Sequence, residues 1–339
     1  MRIPISFVCV LFLALSFQAL PSASQESKPT AGQENKPGQQ DQMPTFRKNV
    51  NLVNLFFNVK GKHGGMVPGL TKDNFEVLED GKPQAIKYFS AEADQPLTLG
   101  IMIDSSGSMQ AMLPEEKVVA TDFLRKVVTE KDLAFVISFD VSVDLLQDLT
   151  SDVHLLRAGL DKARTNVGTT MAGRPGMGQG PFPIPSNPKG TLLYDAVYLG
   201  SHDILSQQVG RKAMVILTDG VDNGSQVKLR EALEAAQKAD VICYVLLMFD
   251  PHYGSDMSDM SHLAEQTGGR AISVGNPDKL GKAFAEISEE LRTQYSLAYT
   301  PINDKHDGSF RHIEVKSKDG YKIQARKGYY APVDASSGR

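Results

Sequence analysis

Residues 97–103 (LTLGIMI) form an almost wholly apolar, partly β-branched run that shows no alternation, and it breaks at once into Asp104-Ser105-Ser106-Gly107-Ser108. A strand that need not alternate is hidden on both faces, which places it inside a parallel sheet covered by helices. At the carboxyl end of such a strand, side chains emerge into the crevice where open α/β sheets take their ligands. Asp104, Ser106 and Ser108 are spaced two apart, so one tight turn can aim three oxygens at a single point. Hard oxygen donors of this kind suit Mg²⁺, Mn²⁺ or Ca²⁺ better than zinc. The plainer alternative is an ordinary Asp-Ser-Gly turn capping the next helix.

The chain that follows supports an α/β reading. Residues 115–129 have a helical period, with Ala120, Leu124 and Val127 spaced by four and three. Residues 133–139 (LAFVISF) read as a buried strand, and 141–149 as a more polar one suited to a sheet edge. Helices are expected over 152–163, 192–205, 226–239, 258–267 and 277–291. Strands are expected over 213–217, 241–248 and 271–274. Strands that alternate with helices imply a mainly parallel central sheet with helices on both faces, a Rossmann-like arrangement.

On either side the period is two-fold. Val53, Leu55, Phe57 and Val59 share one strand face, Phe75 and Val77 continue the pattern, and Glu79-Asp80-Gly81-Lys82 reads as a hairpin turn that returns along 85–89. Beyond residue 291, Tyr295, Leu297 and Tyr299 alternate, then Ile313 and Val315, then Tyr321, Ile323 and Ala325. About three strands on each side are too few for a lone sheet. The economical solution is one small β-sandwich made by both flanks, 46–94 and 294–333, with the α/β domain 95–293 inserted between them.

The first residues carry a targeting pattern. Arg2 precedes an apolar stretch from Ile3 to Leu20, followed by Pro21-Ser22-Ala23-Ser24, a signal for export with cleavage expected after Ser24. An uncleaved signal acting as an anchor is the alternative; no integral span is expected in the mature chain. Residues 25–45 are rich in Gln, Pro, Gly, Lys and Glu and are expected to be a disordered tether; 334–339 read as a short tail. The chain has two cysteines, and Cys9 falls in the signal, so Cys243 has no internal disulfide partner. A net charge of −4 without a basic cluster argues against nucleic acid as a partner. The product is expected in a periplasm or outside the cell.

Two further stretches converge on the first. The strand 213–217 ends in Thr218-Asp219-Gly220, again a carboxylate just past a buried run, and Gly190-Thr191 opens a helix. Singly, Thr191 reads as a helix cap and Asp219 as a turn former. Together, Asp104, Ser106, Ser108, Thr191 and Asp219 resemble the metal-ion-dependent adhesion site of the von Willebrand factor type A family, an Asp-x-Ser-x-Ser followed by a Thr and an Asp in this order. The resemblance covers about 97–293, and the flanks look like bacterial proteins related to that family.

What the resemblance implies is a divalent cation, Mg²⁺ first with Mn²⁺ or Ca²⁺ as alternatives, held by those five residues. It would leave one coordination position open for an acidic side chain of a protein ligand. Asp195 and Asp222 lie nearby and read as outer or surface residues. The Gly/Pro/Met-rich stretch 168–189, just before Thr191, departs from the family and reads either as a flexible insertion or as a partner-contacting lid. The expected function is a non-enzymatic adhesion or binding protein. The alternatives are an envelope assembly protein in which the metal only stabilises the fold, or a hydrolase using Ser106 or Ser108. For the last, no Gly-x-Ser-x-Gly elbow is present, and the histidines are scattered.

Overall fold

The computed structural model describes residues 52–91, 95–165, 190–248, 257–275 and 277–333. The export signal, the 25–45 tether, the 334–339 tail and the 168–189 loop lie outside the described residues. In chain order the elements are β1 (Val53–Lys60), β2 (Phe75–Glu79), β3 (Lys82–Gln84), β4 (Ile86–Ser90), β5 (Leu97–Asp104), α1 (Leu113–Val127), β6 (Leu133–Phe139), β7 (Val143–Thr150), α2 (Val153–Lys162) and α3 (Leu193–Leu199). They continue with β8 (Arg211–Thr218), α4 (Leu229–Lys238), β9 (Val241–Met248), α5 (Met257–Thr267), β10 (Ala271–Val274), α6 (Pro277–Arg292), β11 (Tyr295–Tyr299), β12 (Phe310–Ser317), β13 (Lys322–Ala325) and β14 (Gly328–Tyr330).

The central sheet has six strands in the order β10-β9-β8-β5-β6-β7. Every pairing in it is parallel except the edge pair β6–β7, which is antiparallel. Strand β5 is buried along its whole length, as its lack of alternation requires. Leu99, Ile101 and Ile103 pack in a cluster with Ala120, Phe123 and Leu124 of α1, Leu156 of α2, and Leu280, Phe284 and Ile287 of α6. Met102 joins the cluster on the opposite face, with Phe135 and Ile137 of β6, Val197 of α3, Ala236 of α4 and Leu263 of α5. Gly100 is needed there because a Cβ would lie 2.5 Å from the Phe135 ring. From β5 the chain goes first to β6 on one side and later to β8 on the other. The carboxyl ends of β5 and β8 therefore flank a topological switch point.

The remaining strands form two four-stranded antiparallel sheets, β13-β1-β11-β4 and β14-β12-β2-β3. Each mixes strands from before β5 and after α6, and their buried residues form one cluster that includes Leu55, Phe57, Phe75, Val77, Tyr295, Leu297, Ile313 and Val315. The strand expected over 85–89 forms at Ile86–Ser90 but does not return along β2. Lys82–Gln84 completes the hairpin with β2, whereas Ile86–Ser90 pairs with β11 in the other sheet. The helix expected over 192–205 is also interrupted: α3 ends at Leu199 and continues as a π-helical turn over Gly200–Ile204. At Gly200, where this turn begins, a Cβ would stand 3.0 Å from the Met214 sulfur, so the segment packs tightly on β8 there.

Candidate functional site

The site is built from the ends of β5 and β8, which the register holds level, Ile103 opposite Leu217. Asp104, the last residue of β5, is fully buried. Its Oδ1 accepts the backbone N–H of Ser106 at 2.9 Å, and its Oδ2 accepts the Thr218 hydroxyl at 2.7 Å. A single 3₁₀ turn, Gly107–Met109, then reverses the chain. It sets the hydroxyls of Ser106 and Ser108 3.0 Å apart, and Ser108 donates to Asp219 Oδ2 at 2.6 Å. Gly220 makes the exit from β8 possible. Its φ of +87° is open to glycine, and its N–H returns to the Thr218 hydroxyl at 3.0 Å. Four of the five sequence-derived residues, Asp104, Ser106, Ser108 and Asp219, are thus joined in one hydrogen-bonded constellation.

The electrostatic strain of the site falls on Asp104. Burial raises the Asp104 carboxyl to about 7, the charge of Asp219 adds to the rise, and hydrogen bonds from Ser106 and Thr218 oppose it.

Thr191, the fifth of the sequence-derived residues, is held by its backbone to the loop after β8. Its N–H and C=O bond with Asn223 at 3.1 and 3.0 Å, four residues past Asp219, and the next N–H, of Leu192, bonds to the Asp140 carbonyl just beyond β6. Thr191 does not cap α3, whose N-cap residue is Leu192. The orphan N–H groups of that first turn are taken by Asp222 and Ser225, which accept from Tyr194 at 3.1 Å each, and by Ser225 again from Asp195 at 3.2 Å. Asp195 in turn accepts from the N–H groups of Gln226 and Val227. Asp195 and Asp222 are therefore the clamp that holds the Thr191 segment against the loop after β8.

Two residues of the site carry no signal in the motif. Thr218 was legible only as part of a turn, yet its hydroxyl bridges Asp104 and Gly220. Glu116, in the first turns of α1, has no solvent exposure, and neither of its carboxylate oxygens has a hydrogen-bond partner. Burial, and after it the charge of Asp104, pushes its pKa well above the usual carboxylate range. Its signal was an acid placed four residues before Ala120, on the apolar stripe of the helix. No histidine among the described residues bonds to Ser106 or Ser108, whose partners are each other and, for Ser108, Asp219.

All the converging donors are oxygens. No group of three or more His, Cys, Asp or Glu side chains that could hold a metal ion occurs among the described residues, so any ion here must rely on hydroxyls as well as on Asp104 and Asp219. Fold and site together define an α/β protein with an oxygen-lined crevice at the sheet's switch point. No family model matches the chain, and no curated protein matches it in sequence.

Solved structures similar to it include a von Willebrand factor type A protein from Catenulispora acidiphila, with 10% identity, a TM-score of 0.47, and coverage of 86% of this chain and 76% of that one. Proximal thread matrix protein 1 from the mussel byssus shows 13% identity and a TM-score of 0.46 over 71% of this chain. The match spans half the length of that protein. The von Willebrand factor domain of the type V pili tip protein Mfa5 from Porphyromonas gingivalis shows 13% identity and a TM-score of 0.41, covering 57% of this chain and 94% of that domain.

Proposed function

We propose that this chain is a non-enzymatic, exported binding module that captures a protein ligand through a divalent cation held at the crevice. The observation that carries the reading is the convergence of Asp104, Ser106, Ser108 and Asp219 from two separate strand ends. The donor set fits a hard ion. Every donor is an oxygen, and the rise that burial and the charge of Asp219 impose on Asp104 is what a positive centre relieves. Asp104, Ser106, Ser108, Thr191 and Asp219 would hold the ion, Mg²⁺ first. The ion supplies an electrophilic position that an acidic side chain of the partner can fill.

The rest of the work is done by the chain. The turn 107–109 orients the two serines, Thr218 holds one oxygen of Asp104, and the clamp through Asp195 and Asp222 keeps residue 191 against the loop after β8. Both serine hydroxyls are engaged within the constellation, Ser106 with Ser108 and Ser108 with Asp219, an arrangement that suits oxygen ligation. Among the described residues no helix is long and apolar enough to cross a membrane.

Calorimetric titration with Mg²⁺ and with Mn²⁺ tests the proposal. Asp104→Ala is expected to weaken cation binding by at least ~100-fold. The same variant is expected to lose EDTA-sensitive retention of proteins from an envelope fraction. An unchanged titration curve would sink the reading.

A further inference from the structure

Charged side chains that are closed off from water elsewhere in this chain are answered by a partner. Asp132 accepts from the N–H of Leu97, the N–H of Thr129 and the Thr129 hydroxyl. Glu290 accepts from Lys60, Arg270 and Gln324. Glu116 stands apart, with both oxygens buried and neither bonded. Leaving an acid in that condition is costly, and apolar residues of similar size would fill the position better.

Helix electrostatics do not account for it. Glu115 lies in the same first turn, is exposed, and complements the helix N-terminus without being desolvated. Glu116 instead lies on the face of Leu113 and Ala120, which turns inward, and the charge that acts on it is that of Asp104.

We infer that Glu116 is a positioning residue for the crevice, whose carboxylate accepts hydrogen bonds from water in the shell of a bound divalent cation and so sets the affinity for that cation. The inference rests on the reading of the crevice as a cation site. The backbone ties Glu116 to the serine turn, Met109 N–H to the Ser106 carbonyl, Met112 N–H to that of Met109 and Glu116 N–H to that of Met112. Such a role explains why an acid without a hydrogen-bond partner is kept one helical turn past that loop: its partner arrives with the ion. Acids of this kind, one water removed from a metal, orient the inner ligands and tune affinity without touching the ion.

The test is titration of the whole chain with Mg²⁺ and Mn²⁺ at constant pH, with thermal melts in EDTA. Glu116→Gln keeps the shape and removes the charge. It is expected to bind either cation about tenfold more weakly and to melt at a higher temperature than the wild type in EDTA. Glu115→Gln, in the same turn but exposed, is expected to leave the affinity unchanged. A purely structural Glu116 would give the reverse pattern, a lower melting temperature with affinity within about twofold of wild type, and that would overturn the assignment while leaving the cation site standing. Absence of binding by the wild type would overturn both. Should Glu116→Gln fail to fold, Glu116→Asp decides: shortening the side chain is expected to weaken binding severalfold, and unaltered affinity removes Glu116 from the site.

Discussion

Glu79, at the end of β2, and Asp104, at the end of β5, are both carboxylates closed off from solvent, but their surroundings differ in kind. Glu79 faces Arg311, with Nη1 3.6 Å from Oε1, and accepts the hydroxyls of Tyr299 and Tyr329 at 2.8 and 3.0 Å. Arg311 is itself tied to the carbonyls of Asn303 and Lys305. Charge there is balanced within the protein, and the cluster acts as a joint between strands of the two four-stranded sheets. Asp104 has hydroxyl and amide donors but no cationic side chain among the described residues, and its neighbours Asp219 and Glu116 add negative charge. Buried charge that the fold balances is structural. Buried charge that the fold leaves in surplus is what the proposed cation would answer.

The largest effect comes from upsetting the balanced cluster. Arg311→Met leaves Glu79 buried with two tyrosines and no cation, and is expected to cost about 3–5 kcal/mol in urea unfolding. The loss should be the same in EDTA and in Mg²⁺, because this cluster takes no part in cation binding. A cost below about 1 kcal/mol would show that the tyrosine hydroxyls alone satisfy Glu79.

The surplus region should respond to pH instead. Asp104 is raised from 3.8 to about 7, so between those values the folded chain holds a proton that the unfolded chain releases. Stability of the cation-free protein is therefore greatest below pH 4 as far as this group is concerned, and is lost as pH rises through 7. Glu116 is shifted in the same direction and adds to the slope. The expected loss in EDTA is roughly 2–4 kcal/mol from pH 4 to pH 8. Mg²⁺ is expected to flatten the profile, and Asp104→Asn to remove its own share of the slope, leaving that of Glu116, while abolishing the response to Mg²⁺. Denaturant unfolding at a series of pH values checks both, and a flat profile in EDTA would mean that Asp104 is not held under pressure.

The two regions were not equally legible in the sequence. The limits of β6 and β9 could be read to the residue, because strands buried on both faces are nearly uninterrupted apolar runs bounded by polar turns. The spacing of Asp104, Ser106 and Ser108, and the carboxylate after β8, were legible for a related reason: hydrophilic oxygens directly after an apolar run have few structural excuses. The division of 82–90 between two sheets was not legible. Lys82–Gln84 and Ile86–Ser90 are short and mostly exposed, and the change of sheet at Ala85 leaves no mark in a two-fold pattern. The partners that decide whether a buried acid is balanced lie far away in sequence, as Glu79 and Arg311 do, so no local pattern distinguishes Glu79 from Glu116.

The smallest effect sharpens the rule that the number of remaining partners, rather than burial, sets the cost. Glu290 of α6 is as buried as Glu79, but three elements answer it: Lys60 of β1 at 2.9 Å, Arg270 just before β10 at 2.6 Å, and Gln324 of β13 at 3.0 Å. Arg270 is further anchored by Glu286 at 2.7 Å. Lys60→Met removes one donor of the three and keeps most of the stem that packs along the strand. The carboxylate retains a guanidinium on one oxygen and an amide on the other, so it is not stranded. The expected cost is about 1 kcal/mol, several-fold less than for Arg311→Met and equally indifferent to Mg²⁺. If the two substitutions proved equally costly in the same unfolding assay, redundancy of partners would not be what protects a buried acid here. The contrast between balanced and surplus charge would then have to rest on the cation response of Asp104 and Glu116 alone.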